Sequence, residues 1–443
     1  MSSLGRGFTA LRHRNYSLFW WGQLVSLIGT WMQTTAQGWL VLELTGSAAS
    51  LGIVTALQSL PVLVVGLYGG LIADWIPKRR LLIITQAIQL VLALTLGVLV
   101  STGLVQTWHL YVLAALLGLT NAFDMPARQA FVVEMVGRDD LMNAVALGSM
   151  QFNAARIVGP AVAGVLIALI GVTGAFYANA ASFIAVIGGL LMMRASDFFE
   201  VEAAPHTSVK ESLAEGWNYV IHAPVILTIT LLVGALGLFA FNGPVLIPIF
   251  ARDILHGGAL GYGGLMAAQG IGALLAALVA AFNGRATWRA MLGGGFLLTV
   301  FQIFFGLSHI YMLSFAILMV TGFGMVTIFT SANTGVQMQV PNVLRGRVMG
   351  VYMAVNMGSM PVGNLIAGFV TGSTSPAFTM VAGSVIATLI LAVLAAFLYA
   401  RRFSPAYRLV TAAPDQEDHD APAAAVAPPA RLPHGRPQEA GAR

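Results

Sequence analysis

The chain has 443 residues, of which 58% are hydrophobic and only 9% are charged. Soluble globular proteins carry about 25% charged residues, so this composition excludes a soluble domain and indicates a membrane protein. The net charge of +5 does not indicate nucleic acid as a partner, because the basic residues lie in short turns beside apolar segments, where membrane insertion and anionic headgroups explain them. No cysteine is present, which excludes disulfides and thiolate metal sites.

Twelve apolar windows follow one another along the chain, and each is long enough to cross about 30 Å of hydrocarbon. They predict an all-α membrane protein with twelve transmembrane helices. The windows are residues 18–42, 51–73, 81–102, 109–130, 143–168, 174–194, 224–250, 262–282, 290–308, 311–333, 348–370 and 376–400.

When these windows cross a bilayer in alternating directions, nearly all the basic residues fall on one side of it. Arg252 falls outside and Arg156 falls within the membrane, and the rest of the 22 Lys and Arg residues collect on the side of the N-terminus. Cytoplasmic segments carry this excess of positive charge. We therefore expect a multi-pass protein of the cell inner (plasma) membrane with both termini cytoplasmic, its first window a retained anchor rather than a cleaved signal peptide.

Two polar stretches divide the chain. The first follows the sixth window, where Ser208 and Glu211 have the spacing of a helix capping box. A short amphipathic helix on the inner membrane surface is predicted there, with one apolar face made by Val209, Leu213, Trp217 and Val220. The second stretch is a proline-rich C-terminal tail, predicted to be disordered. The predicted segments are an N-terminal arm at 1–17, a six-helix bundle at 18–194, a linker at 195–223, a second six-helix bundle at 224–402 and the tail at 403–443.

The two halves of the chain resemble each other weakly. The segment GPAVAGVL matches GNLIAGFV, and a second match relates the starts of the second and eighth windows. Six-plus-six duplication is the internal symmetry of transporters whose two halves rock about a midplane site. Chance similarity between small-residue helices is the alternative. The aligned pairs are Gly159 with Gly363, Gly164 with Gly368, Gly52 with Gly263 and Gln58 with Gln269.

The loop between the second and third windows reads GGLIADWIPKRR. Asp74 is expected at the C-terminal end of a helix, where the macrodipole disfavours a negative charge, so it needs partners. Basic neighbours or a helix N-terminus from the other half, near Val348, would serve. Such a cluster predicts a conformational latch made by Gly70, Asp74, Lys78, Arg79 and Arg80. A basic turn that only sets topology is the alternative.

The G-x-x-x-D pattern and its basic cluster resemble the signature loop of the major facilitator superfamily, although Trp75 and Pro77 depart from it. The segment AARIVGPAVAG is similar to the signature of the antiporter branch, through Gly159, Pro160 and Gly164. Over roughly residues 8–402 the chain resembles the enterobactin-exporter-like branch. The resemblance implies two six-helix bundles, export of a substrate and proton antiport.

Arg156 is the polar residue that stands out within the windows. It lies near the bilayer midplane, where even a low estimate of the cost of an arginine is about 2.5–3.5 kcal/mol, so it should face a cavity or the bundle interior. Two roles remain open: attraction of an anionic substrate group, or a structural ion pair with Asp124.

The superfamily resemblance implies that the first, fourth, seventh and tenth helices line a central cavity, which makes Gln33, Gln37, Asn242 and Asn333 cavity candidates. Interhelical hydrogen bonding for packing is the alternative for each of them. Pro244 and Pro248 should break or bend the seventh helix.

No nucleotide-binding loop, metal-ligand cluster or nucleophile–base pair is found, so we expect no enzyme activity, no cofactor and no metal. Transport must therefore use a gradient or run downhill, and the resemblance implies protons. Glu43, Asp124 and, near the inner side, Glu134 are the acids that could titrate. The leading hypothesis is a monomeric secondary active exporter of small amphipathic or siderophore-like molecules. Import or lipid flipping on the same fold is one alternative, and a non-transporting receptor or scaffold is another.

Overall fold

The computed structural model describes residues 8–200, 209–283, 287–341, 343–401 and 409, without the side chains of 67–75, 209–212 and 281–283. Within these residues the chain forms helices and no strand. Residues 1–7 of the predicted arm, and all of the predicted tail except residue 409, lie outside the described residues.

Thirteen α-helices follow one another within the described residues. They are α1 (Arg14–Thr45), α2 (Ala48–Trp75), α3 (Lys78–Ser101), α4 (Thr107–Val136), α5 (Leu141–Leu191), α6 (Val209–His222), α7 (Pro224–Phe239), α8 (Gly243–Ile249), α9 (Gly258–Asn283), α10 (Trp288–Leu307), α11 (Tyr311–Gln339), α12 (Arg345–Ser373) and α13 (Pro376–Ala400). Short 3₁₀ turns lie at Thr9–Arg12 and Ala195–Asp197, and a π turn at Phe250–Ile254 continues α8.

Ten spans in the described residues are long and apolar enough to cross a membrane. One of them is the whole of α5, although Gly171 inside it has the non-helical dihedrals φ 75° and ψ 176°. At about 1.5 Å per residue this 51-residue helix is far longer than a bilayer is thick. Helix α1 covers the first predicted window but is not among the ten, because glutamine, threonine and serine lower its hydropathy.

The seventh predicted window is interrupted, as its prolines predicted. Helix α7 ends at Phe239, and α8 begins at Gly243 with Pro244 in its first turn. Proline lacks an N–H and cannot bond to a preceding turn, so the helix restarts there rather than continuing. Pro248 lies within α8, which then widens into the π turn.

Glycines bring the first half of the chain against the second at two helix crossings. In α2 packed on α12, a Cβ at Gly52 would lie 2.7 Å from the Asn364 carbonyl oxygen. In α5 packed on α9, a Cβ at Gly263 would lie 2.5 Å from the Pro160 carbonyl oxygen and 2.9 Å from Gly164 Cα. Only residues without a side chain permit such close backbone contact.

The glycines aligned by the internal repeat make equivalent contacts. Gly159 packs against α1, where a Cβ would lie 2.5 Å from Trp31 Cβ, and Gly363 packs against α7, where a Cβ would lie 2.5 Å from the Gly237 carbonyl oxygen. In each half, the aligned glycine therefore packs against the first helix of that half, α1 or α7. A duplicated unit produces this arrangement.

The two ends of the helices have different cores. We call the ends near Thr45, Ser101 and Gly171 the outer end and the opposite ends the inner end, after the predicted orientation. At the outer end one buried cluster joins both halves, and its members include Leu42, Leu51, Val245, Phe250 and Tyr262. At the inner end, among the described side chains, Leu82, Phe131 and Met135 belong to a first-half cluster, whereas Ile226, Val336 and Tyr352 belong to a separate second-half cluster.

The linker contains the predicted short helix, α6. A Cβ at Gly216 would lie 2.5 Å from the Arg347 carbonyl oxygen at the start of α12, so the helix lies directly on that end. Val220 is buried and Leu213 packs beside it, as predicted, but Trp217 is 53% exposed at the margin of the face. The capping residue Ser208 and the side chains of Val209 and Glu211 lie outside the described residues.

Candidate functional site

A polar hollow lies inside the first half of the chain. Its volume is ≈ 20 Å³, enough to hold an ordered water. Four helices supply the lining, and amide side chains dominate it. The lining residues are Thr30, Gln33, Thr34 and Gln37 from α1, Gln89 from α3, Leu117 and Asn121 from α4, and Asn179 and Phe183 from α5.

The amides around this hollow bond to one another across helices. Asn179 Nδ2 donates to Gln33 Oε1 at 2.6 Å, and Gln58 Nε2 donates to Gln37 Oε1 at 3.1 Å. These bonds fix both predicted glutamines in the lining while leaving their amide N–H groups as donors. A similar bond of 3.0 Å joins Gln89 Nε2 to Asn121 Oδ1.

Asp124 lies beneath the hollow and is 1% exposed. Its Oδ1 accepts from Thr85 Oγ1 at 2.7 Å and from Gln86 Nε2 at 2.9 Å, and its Oδ2 pairs with Arg128 one turn further along α4. All its polar neighbours therefore come from α3 and α4. The predicted alternative, an ion pair between Asp124 and Arg156, is not formed.

Arg156 lies on α5 midway between Leu141 and Gly171 and is half-buried. Its Nη2 reaches 3.8 Å from Met325 Sδ on α11, in the other half of the chain. No carboxylate among the described side chains forms an ion pair with it.

The signature Gly159, Pro160 and Gly164 forms two close helix contacts. Gly159 lies against α1, whereas the Pro160 carbonyl and Gly164 lie against Gly263 of α9. This segment of α5 therefore joins its own half to the other half. Its geometry makes it a packing site rather than a lining of the hollow.

The inner loop is described only in part. Gly70 and Asp74 lie near the end of α2, as predicted, but their side chains are outside the description. Lys78 Nζ pairs with Glu134 Oε1 at 2.9 Å, and Arg79 Nε donates to the Leu190 carbonyl at 2.7 Å. Lys78 is thus held by the end of α4, and Arg79 is held by the C-terminal carbonyls of α5. Arg80 is exposed.

Asn242 and Asn333 lie in the second half, outside the lining of the hollow. Asn242 precedes α8, and its Oδ1 is buried without a hydrogen-bond partner. Asn333 Oδ1 accepts from Gln337 on its own helix.

Two polar groups mark the outer end. Glu43 is exposed and accepts from Trp39 Nε1 at 2.6 Å. Arg252 in the π turn donates from Nη1 to the Leu42 carbonyl at 2.7 Å, so it joins the second half to the C-terminal end of α1. A cation is favourable at a helix C-terminus, where the carbonyl groups carry partial negative charge.

Several residues of this site were not predicted. Asn179, Gln89 and Asn121 line the hollow, and the pairing of Glu134 with the predicted latch lysine was not foreseen, since Glu134 was considered only as an acid that could titrate. Their signal in the sequence is an amide or acid within an apolar window, which gives depth in the membrane but not the direction that the side chain faces. Among the described residues no group of three or more acidic or histidine side chains is placed to hold a metal ion.

The sequence of residues 5–420 matches the family model of the transmembrane secretion effectors. The chain belongs to this family, within the major facilitator superfamily. It is 30% identical over 387 residues to the multidrug efflux pump Tap of Mycolicibacterium fortuitum, covering 84% of this chain and 92% of the pump. It is 25% identical over 350 residues to the enterobactin exporter EntS of Shigella boydii, covering 77% of this chain and 79% of the exporter.

The fold has a solved counterpart. The crystal structure of the POT family transporter PepTSo matches with a TM-score of 0.71 at 14% identity, over 88% of this chain and 99% of that chain. The family match and the relatives confirm the predicted resemblance to the superfamily, and the chain is a multi-pass membrane transporter rather than an enzyme.

Proposed function

We propose that this transporter is a secondary active exporter of small amphipathic or siderophore-like molecules that works by alternating access. The observation that carries the proposal is the unequal core. Both halves share one buried cluster at the outer end, whereas at the inner end the described side chains form two separate clusters, one in each half. Two halves that share a hydrophobic core at one end and have separate cores at the other can rotate relative to each other about the shared end. This arrangement corresponds to a state closed outside and accessible from the cytoplasm.

The proposed membrane layout has twelve spans in two six-helix bundles. The ten apolar spans become twelve when α1 is added and α5 is divided at Gly171. A polar first helix is compatible with insertion because Gln33 and Gln37 face the hollow rather than lipid. The bundles then occupy residues 18–194 and 224–402, joined by the cytoplasmic linker 195–223, with both termini in the cytoplasm and the chain in the cell membrane as a monomer.

The inner loop is proposed as the latch of the cycle. Asp74, near the end of α2, would engage the start of α12 in the state closed inside, with Gly70 permitting the approach. Lys78 and Arg79, held by Glu134 and by α5, would keep the loop rigid, and Arg80 would face solvent.

Proton antiport is proposed as the energy source, with Asp124 as the coupling carboxylate. Asn121 and Gln89 line the hollow, and each lies about one helical turn from Asp124 or from its partner Gln86, so polar residues lie between the carboxylate and the hollow. The donors Thr85 and Gln86 belong to α3, so movement of α3 against α4 would remove them and favour protonation. Glu43 at the outer end is the second candidate carboxylate.

Export is favoured over import by the relatives, since one is an efflux pump and another a siderophore exporter. The test uses everted membrane vesicles, in which the cytoplasmic face is outside. Vesicles containing the transporter should accumulate an amphipathic dye on generation of a proton gradient, and a protonophore should abolish accumulation. A matched Asp124→Asn preparation should lose the dependence on the gradient.

The alternatives predict different results. An importer would accumulate the dye in right-side-out vesicles instead, and a lipid flippase would move a fluorescent phospholipid between leaflets without concentrating the dye. A receptor or scaffold would give vesicles indistinguishable from empty ones.

A further inference from the structure

Arg156 carries a charge in the middle of a membrane span that the described protein leaves without a counter-ion. Its nearest polar contact is the Met325 sulfur at 3.8 Å. A thioether is a weak acceptor, whereas a guanidinium has five N–H donors and stays protonated. Most of these donors are therefore left for water or for a ligand.

The acid that the sequence offered as a partner is engaged elsewhere. Both oxygens of Asp124 are occupied, one by Thr85 and Gln86 and the other by Arg128. Because Arg128 already balances the charge of Asp124, the charge of Arg156 is not part of a neutral structural pair. An unbalanced cation at this depth is costly, and such residues usually serve function.

The surroundings of Arg156 join the two halves. Pro160 has no N–H to donate to the Arg156 carbonyl four residues before it. Gly270 of α9 packs there, and a Cβ at that position would lie 3.3 Å from the Arg156 carbonyl oxygen. The backbone of Arg156 is thus held against the second half, and its side chain extends to α11, which shares no extended packing surface with α5.

The side chain that the guanidinium contacts, Met325, is apolar apart from its sulfur. Met325 is followed one turn later on α11 by Phe329, whose ring stacks on Phe241 with centroids 4.7 Å apart and planes 20° apart. Phe241 lies in the interruption between α7 and α8. A fixed cation beside a thioether, with aromatic rings one helical turn further along α11, suits a ligand with a charged end and an apolar body.

We propose that Arg156 binds the anionic group of the substrate, and that the exported molecules are amphipathic anions that carry a carboxylate, sulfonate or phosphate on an apolar body. This inference rests on the proposed export function and specifies its substrate class. The anion binds the guanidinium, and the apolar body packs against Met325 and the aromatic pair.

The first test compares two probes that differ in one charge, dansylaminoundecanoate and its primary amide. Binding of each to the purified full-length transporter in nanodiscs is followed by dansyl fluorescence, with empty nanodiscs subtracted. We expect the carboxylate to bind roughly 10- to 100-fold more tightly, the usual weight of a charge-assisted hydrogen bond inside a protein. Equal binding, or tighter binding of the amide, would overturn the proposal without use of any variant.

The second test repeats both measurements with Arg156→Gln, Arg156→Lys and the surface control Arg289→Gln. The glutamine variant should lose the preference for the carboxylate while still binding the amide, and the lysine variant should keep the preference at weaker affinity. Arg289 is exposed at the inner end, so its replacement should leave the binding affinity of both probes unchanged. If Arg156→Gln weakened the binding of both probes equally, Arg156 would have a structural role and anion binding would be refuted.

Transport separates this inference from the proposed function. Energised everted vesicles that accumulate the carboxylate probe but not the amide support both. Accumulation of both probes to equal extents refutes the substrate class and leaves export standing. Accumulation of neither probe refutes the substrate class, and export is refuted as well when the dye of the export assay is not accumulated either.

Discussion

Replacing Gly263 with alanine should shift the transporter away from the state that is closed outside. The new Cβ would lie 2.5 Å from the Pro160 carbonyl oxygen, 0.9 Å short of the 3.4 Å at which ordinary contact begins. Backbone atoms cannot rotate away, so α9 and α5 must separate. Overpacking of this kind costs about 1–3 kcal/mol, and because the strain exists only while the outer ends are packed together, the equilibrium should move about 5- to 150-fold toward the outward-open state.

The assay is a distance measurement between the two halves by pulsed electron paramagnetic resonance. The chain has no cysteine, so nitroxides can be attached at Leu104→Cys and Ile310→Cys, which occupy exposed turns of the outer end. Gly263→Ala should populate longer distances, and Gly52→Ala should act in the same direction. Gly293→Ala is the control, since nothing lies within 4 Å of a Cβ there. An unchanged distribution in Gly263→Ala, or the same change in the control, would refute the reasoning.

Three further results are expected. Asp74→Asn should slow transport without reducing the amount of protein in the membrane, and wild-type transport by this variant would remove the latch. Arg252→Gln should lengthen the outer distances by removing the bond to the Leu42 carbonyl, about a 5-fold shift for a partly exposed charged hydrogen bond, whereas unchanged distances would mean that this bond does not hold the outer end closed. The His13 hydrogen bond lowers the pKa of Asp140 below its ordinary 3.8, so this pair stabilises the fold fully above that pH and loses its effect as the pH falls through the lowered value. Asp140→Asn should therefore lower the melting temperature slightly at pH 5–7 and by less below pH 4, and a difference that grows with acid would contradict this.

Depth along the membrane was readable from the sequence. Apolar windows located the helices because a span must be long and apolar, and Pro244 located the break before α8 because it cannot donate to the preceding turn. The glycines that were aligned only as a sign of duplication lie at contacts between helices, since Gly52 and Gly263 make the close crossings on α12 and α5.

The rotation of each helix about its own axis could not be predicted from the sequence. Asp124 and Arg156 are polar residues of neighbouring windows, but the rotation of α4 turns Asp124 toward Thr85 and Gln86 instead. The i,i+4 spacing of Asp124 and Arg128 was present in the sequence and would have indicated the pair that forms. Pairing across helices, as between Asn179 and Gln33, depends on packing that no local pattern encodes.

Alternating access is tested most directly at Thr34, an exposed residue that lines the hollow. A Thr34→Cys variant in energised vesicles is treated with a membrane-impermeant maleimide, applied to everted and to right-side-out preparations in turn. The proposed mechanism predicts labelling from both faces, with substrate changing the two rates in opposite directions. Labelling from one face only, under every condition of gradient and substrate, would contradict it.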